Sequence, residues 1–227
     1  MYTFSILFFM FFVYSVAGFF AELIFCTIVD KKLVLNRGFL IGPYCPIYGV
    51  SAVIMATTLF KYNNSIIIVF AMGALIATTL EYLTSYLMEI LFKTRWWDYS
   101  GESFNVNGRV CLKNSILFGL GSIAIIYFLD NWYKKIVFLF DKELFININI
   151  ILLIIIIVDI VLSTNIIVKI RRNSELARRD MTDEIKEKVK YELSKNLALT
   201  KRLLNSFPRV FTNVRGIVKK LDRQKKK

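Results

Sequence analysis

The sequence predicts an all-α, polytopic integral membrane protein with about five transmembrane helices and a cytoplasmic, basic, amphipathic helical tail. Three observations carry this. Of the 227 residues, 56% are hydrophobic and 20 are Phe, too apolar a balance for a disordered chain or an ordinary soluble domain. Five stretches are near or above the length of about 20 apolar residues that a bilayer-crossing helix needs. The net charge of +13 sits almost wholly at one end: residues 168–227 hold 19 Lys and Arg against 7 Asp and Glu, whereas residues 1–167 hold 11 against 10.

The five expected spans are residues 3–29, 38–60, 65–92, 113–129 and 146–168. The first lacks a basic start, is too long for a signal peptide and has no convincing small-residue cleavage site, so it is read as a span. Between the last two, Ile136–Phe140 is an apolar run too short to cross and suited to the outer interface. The domain reading is a membrane domain over 1–168 and a cytoplasmic tail over 169–227. With the N-terminus outside, 26 basic residues fall on the inner segments and 4 on the outer ones, so the C-terminus is expected in the cytoplasm. The expected location is the bacterial cytoplasmic membrane.

Composition also removes chemistry. There is no His, hence no imidazole base, nucleophile partner or metal ligand. There is no GxxxxGK[ST] phosphate loop. Cys26, Cys45 and Cys111 are far apart and odd in number, which argues against a zinc site or a disulfide framework. No cofactor, metal or catalytic residue is expected, and the balance is against an enzyme.

Four carboxylates fall inside the spans: Glu22, Glu81, Glu89 and Asp159. Each costs at least about 2.5–3.5 kcal/mol to insert near the bilayer centre, so each needs a partner or a wet surface. All four lie in the inner half of their spans. Thr78, Glu81, Ser85 and Glu89 share one helix face. Arg37, Arg95 and Arg109 of the inner loops are the expected partners, since a guanidinium stays charged and pairs a carboxylate through two donors. Two readings follow: a cytoplasm-facing polar cavity lined by these groups, or ion pairs that only fix helix packing.

Two segments stand apart. In Gly38-Phe-Leu-Ile-Gly-Pro-Tyr-Cys-Pro-Ile-Tyr-Gly49, Pro43 and Pro46 remove backbone donors, Gly42 and Gly49 loosen the chain, and Cys45 lies between. Irregular backbone at membrane depth is tolerated only against protein or water, so the inner half of the second span is expected to be broken. A plain proline-initiated helix is the alternative. In Arg95–Arg109, Trp96 and Trp97 suit the membrane interface, and Gly101 and Asn107-Gly108 are turn signals. With Asp98, Tyr99 and Asn105, this loop suits an anion, a polar headgroup or a docking partner; alternatively it is an interfacial turn whose polar groups satisfy one another.

GFLIGPYCPIYG, LEYLTSYLMEILFKTRWWDYS and FNVNGRVCLKNSILFG, in that order, resemble the CmpB-type ABC-transporter (type IV) membrane protein family. The resemblance covers roughly residues 5–130 and leaves the fifth span and the tail outside its core. It implies a permease-like subunit and, given the missing phosphate loop, a separate ATPase subunit with a second copy or another permease. Its motif positions here are Glu22, Gly42, Pro43, Pro46, Gly49, Glu81, Glu89, Arg95, Trp96, Trp97, Asp98, Asn105, Gly108 and Arg109.

In the tail, Ile185, Val189, Leu193, Leu197 and Leu204 form an apolar stripe after a Thr182 N-cap, and Pro208 separates it from a second amphipathic stretch through Leu221. A basic amphipathic helix beside a membrane suits anionic lipid; self-association through the stripe competes, and nucleic acid has no motif behind it. Three functions remain open on sequence: a permease subunit, an enzyme acting on lipid headgroups, and a membrane scaffold or regulator. The enzyme would use Glu81, Glu89 or Asp98 as acid or base and Arg95 and Arg109 to hold phosphate, with Mg²⁺ on clustered carboxylates.

Overall fold

A computed structural model of the chain describes residues 2–30, 38–93, 95–179, 189, 191–194 and 197–206. It is 81% helical, with no strand among the described residues. The helices are α1 (Tyr2–Asp30), α2 (Pro46–Leu59), α3 (Ile66–Phe92), α4 (Leu112–Ala124), α5 (Asp130–Phe138), α6 (Lys142–Arg179) and α7 (Leu197–Ser206). A 3₁₀ turn, Phe60–Tyr62, follows α2, and a π-helical turn, Ile125–Leu129, extends α4.

Among the described residues, three helices are long and apolar enough to cross a membrane: Tyr2–Ile28, Ile66–Phe92 and Lys142–Leu176. Large apolar side chains face outward along them, including Ile24, Ile67, Leu75, Leu91, Ile151 and Ile154. An exposed apolar belt of this size has no stable place in water and suits lipid. The chain is a helical membrane protein.

The second and fourth expected spans are different. Helix α2 starts only at Pro46, and residues 38–45 are irregular. At about 1.5 Å per residue its 14 residues reach roughly 21 Å, short of a bilayer core. Pro46 sits in the first helical turn, where its missing N–H costs nothing, so it starts the helix instead of kinking one. The fourth is a shorter apolar helix, Leu112–Phe128, completed by the π-helical turn. Helix α6 runs through 168 without interruption to Arg179, so no helix break marks the expected domain boundary.

Close crossings pair the helices. A Cβ on Gly18 of α1 would meet the Tyr48 ring of α2 at 2.4 Å, and one on Gly49 would meet Ser15 Oγ at 2.2 Å. Likewise α3 and α4 touch where Gly73 faces Ser122, whose hydroxyl donates to the Val69 carbonyl at 2.9 Å. Small residues let backbones approach where lipid supplies no hydrophobic drive.

The connections sort to two ends. At one end Tyr127 donates to the Asn63 carbonyl at 2.6 Å, Tyr133 donates to the Ile6 carbonyl, and Tyr2 packs on Phe145. The apolar run near 136–140 is here largely helical, within α5, with Val137 buried and Phe138 exposed. At the other end are residues 38–45, the 95–111 loop and the described tail. Val189, Leu193 and Leu203 are buried there against Phe92, Trp96, Ile166, Ile167 and Ile170. Val189 and Leu193 of the tail's apolar stripe thus pack on the chain's own bundle. Thr182, Ile185, Pro208 and the second amphipathic stretch lie outside the described residues, as does Arg37.

Candidate functional site

The four membrane acids occupy three settings, all toward the end that carries the 95–111 loop. The innermost centres on Glu81. Helix α3 turns Val69, Gly73, Ala77, Glu81 and Ser85 inward on one face, and Glu81 is 7% exposed. Tyr99, from the loop, donates to Glu81 Oε1 at 3.2 Å, and Asn114 of α4 faces the same carboxylate. Glu81 Oε2 is buried with no hydrogen-bond partner among the described residues. Glu22 of α1 lies near enough to act electrostatically on Glu81, Tyr48 and Tyr99, and the Cys45 thiol is 3.9 Å from Glu22 Oε2. The Tyr99 phenol is pushed well above its ordinary value, first by burial and then by the Glu81 charge, so it remains a donor.

Glu89, two turns along α3, sits at the edge of the bundle. Arg109 Nη2 is 2.8 Å from its Oε2, and Arg95 Nε is 3.5 Å away. The Arg109 side chain is 11% exposed; it donates to Ser85 Oγ at 3.2 Å and lies over the Tyr82 and Tyr86 rings. Charge, donors and aromatic faces together hold it in one place. Tyr86, Glu89, Ile90, Lys93 and Arg109 line a shallow open groove of about 330 Å³.

Asp159 of α6 meets neither of these groups. Its Oδ1 accepts from Ile41 N at 2.9 Å and Ser163 Oγ at 2.7 Å; its Oδ2 accepts from Gly42 N at 2.7 Å and Tyr44 Oη at 2.5 Å. The irregular backbone before Pro46 is thus pinned through its freed N–H groups by a buried carboxylate. Arg202 of α7 donates to the Leu40 carbonyl at 2.5 Å and interacts electrostatically with Asp159.

The loop braces itself. Asn107 and Gly108 both have positive φ and form a tight turn closed by Arg109 N to the Val106 carbonyl at 3.0 Å. A Cβ on Gly108 would lie 2.5 Å from Ser100 Oγ and 2.6 Å from Asp98 Oδ1. Asn105 bonds to the Ser100 and Glu102 carbonyls and accepts from Gly108 N, while Asp98 accepts from Ser100 N and Oγ. Trp97 Nε1 donates to the Arg109 carbonyl at 2.9 Å, and Trp96 is buried against Phe39 and Phe92. Phe104, at the loop's tip, is 81% exposed.

A family model matches residues 9–164, well over half of the chain. The chain belongs to the family described as Putative ABC-transporter type IV. All three acid settings fall within the matched residues. The match also runs past 130 through Asp159, so most of the fifth expected span belongs to the family's core, and residues 1–8 and those after 164, the tail among them, stay outside. No curated protein and no solved structure matches the chain.

Glu22, Cys45, Glu81 and Tyr99 come together, as do Glu89, Arg95, Asp98 and Arg109, whereas Asp159 and Gly42 form a separate set. Pro43 is exposed beside them, and Gly49 serves the α1–α2 crossing. Sequence reasoning missed Tyr48, Asn114, Tyr82, Tyr86, Tyr44 and Ser163. Of these only Ser163 carried a readable signal, since it stands one helical turn after Asp159. Among the described residues no group of His, Cys, Asp or Glu is arranged to hold a metal ion.

Proposed function

We propose that the chain is the membrane-embedded, permease-like subunit of an ABC transporter whose ATPase is a separate protein. The observation that carries this is the Tyr99–Glu81 bond. A carboxylate buried among membrane helices is tied directly to a loop outside them. Buried membrane carboxylates mark substrate and ion paths, and a loop that bonds to one is mechanically connected to it. The loop's brace of turn, ion pairs and Trp97 makes it stiff enough to transmit a push from a docked protein. Exposed Phe104 gives that protein an apolar anchor.

The same reading takes all five apolar segments as crossing the bilayer of the bacterial cytoplasmic membrane, with the irregular 38–45 stretch completing the depth that α2 lacks. The N-terminus is outside, and the 95–111 loop and C-terminus are in the cytoplasm, by the distribution of Lys and Arg. A working transporter then needs a second copy or another permease. The Lys-rich end of the tail is the part left for anionic lipid. The lipid-enzyme alternative has less support, since Glu81 is enclosed and Asp98 is occupied by Ser100.

The test is purification from the native membrane in mild detergent. The expected result is a stoichiometric phosphate-loop ATPase that is lost from the complex on Phe104→Ala or Gly108→Val. A clean homo-oligomer without ATPase would overturn the proposal.

A further inference from the structure

The groove beside Glu89 has a chemistry that the transport reading does not use. It lies on the outward face of α3, not the packed one. Tyr86, Leu87, Ile90 and Leu91 around it are exposed, and Lys93 follows on the same side just past the helix end. One end of the groove is aromatic and aliphatic and opens sideways to the lipid belt. The other end is charged: Lys93 and Arg109 line it with Glu89, and Arg95 beside it lies 3.5 Å from Glu89 and 3.7 Å from Asp98.

Three cations against two carboxylates leave a surplus of one positive charge there. Arg109 is already fixed by Glu89, Ser85 and two tyrosine rings, so binding an anion costs it no further ordering. Lys93 has a left-handed backbone, φ 53°, that ends the helix and leaves its ammonium exposed. The negative end of α3 works against an anion, and the three cations there, with Arg171 donating to the Leu91 carbonyl at 3.4 Å, offset it.

We infer that this groove binds the headgroup of an anionic phospholipid, with the phosphate between Lys93 and Arg109 and the acyl chains along Ile90, Tyr86 and the neighbouring face of α3. A soluble anion would use the cations but not the apolar end. A neutral lipid would use the apolar end but leave the cations unmatched. The volume of about 330 Å³ suits a headgroup and the start of its chains, not a whole lipid, as expected for a site on the rim of the bilayer.

The test is native mass spectrometry of the purified full chain titrated with phosphatidylglycerol and, separately, phosphatidylcholine. Phosphatidylglycerol is expected to be retained preferentially. Lys93→Glu should weaken its binding about tenfold, the loss of one charge-assisted contact. Lys61→Glu, an equal charge change at the opposite end of the bundle, should change it by less than about twofold. Lys93 is exposed, so its substitution leaves the fold intact where Arg109→Gln disturbs the loop. Glycerol 3-phosphate at millimolar concentration should not displace the lipid. Equal effects of Lys93→Glu and Lys61→Glu would place phosphatidylglycerol on the tail or on no fixed site and overturn the inference. Displacement by glycerol 3-phosphate would overturn it in favour of a soluble anion.

Discussion

Replacing Asp159 by Asn keeps the shape of the side chain and removes its charge and half of its acceptor capacity. In the protein each Asp159 oxygen accepts one backbone N–H and one hydroxyl: Ile41 N with Ser163 on one side, Gly42 N with Tyr44 on the other. Whichever way the amide turns, its NH₂ faces one such pair. The hydroxyl can rotate to accept, but the backbone N–H cannot, and it is left facing another donor. A buried donor without a partner costs about 1–3 kcal/mol, and the surviving bonds fall from charged to neutral strength. The sum is about 2–4 kcal/mol, against about 1–2 kcal/mol for Ser163→Ala, which removes one bond and orphans no backbone group. The cost falls on residues 38–45, so the assay is the labelling rate of Cys45 in a Cys26→Ala, Cys111→Ala background, with thermal unfolding in detergent as the global measure. Local opening should become easier by a factor of roughly 30 or more in Asp159→Asn. Labelling and melting no different from Ser163→Ala would refute the claim that this carboxylate pins the segment.

Other consequences follow from the same contacts. Gly73→Ala should lower thermal stability by about 1–3 kcal/mol, because its Cβ would overlap Ser122 at 2.1–2.2 Å, whereas Gly101→Ala, with nothing within 4 Å, should be near neutral in the same melt. Gly108→Ala should cost about 1–3 kcal/mol through positive φ and the clash with Ser100 and Asp98, and should loosen the loop to limited proteolysis. Because burial and Glu81 raise the Tyr99 pKa above its ordinary 10.0, the folded state holds that proton longer than the unfolded chain does. The Tyr99 contribution is therefore intact below pH 10 and lost as pH rises beyond it. Tyr99→Phe should show a smaller fall in melting temperature across that alkaline range, read by thermal scans at successive pH values.

Much of the architecture was legible because lipid imposes simple rules. Apolar length located α1, α3 and α6, and the acids stood out because hydrocarbon tolerates so few of them. Pro43, Pro46 and Gly42 signal a break in the second span; residues 38–45 are irregular and Pro46 starts α2. The chemistry of that break was harder to see. A break in a helix frees carbonyls and N–H groups alike, and the partner that captures the N–H groups, Asp159, lies more than a hundred residues away. Spacing along α3 placed Glu81 and Ser85 on the packed face, yet Glu89 sits at the groove's edge, because the stripe drifts toward the surface where the loop takes over from α4. Charge alone points to Arg37, Arg95 and Arg109 as the partners of the acids. Arg109 and Arg95 meet Glu89, while Glu81 meets the Tyr99 phenol of the loop and the Asn114 amide, the latter a neutral partner that leaves no mark in a sequence. The tail's stripe was visible by its period, but a period does not say which surface covers it. Trp96 and Phe92 do so for Val189 and Leu193.

On the proposed function, the 95–111 loop links a buried membrane carboxylate to an ATPase. ATP turnover of the complex purified from native membranes and placed in lipid nanodiscs tests it most directly, with wild type compared to Glu81→Gln and Tyr99→Phe. Both variants should keep the ATPase bound and shift its turnover in the same direction. Turnover identical to wild type in both variants, with the complex intact, would contradict it.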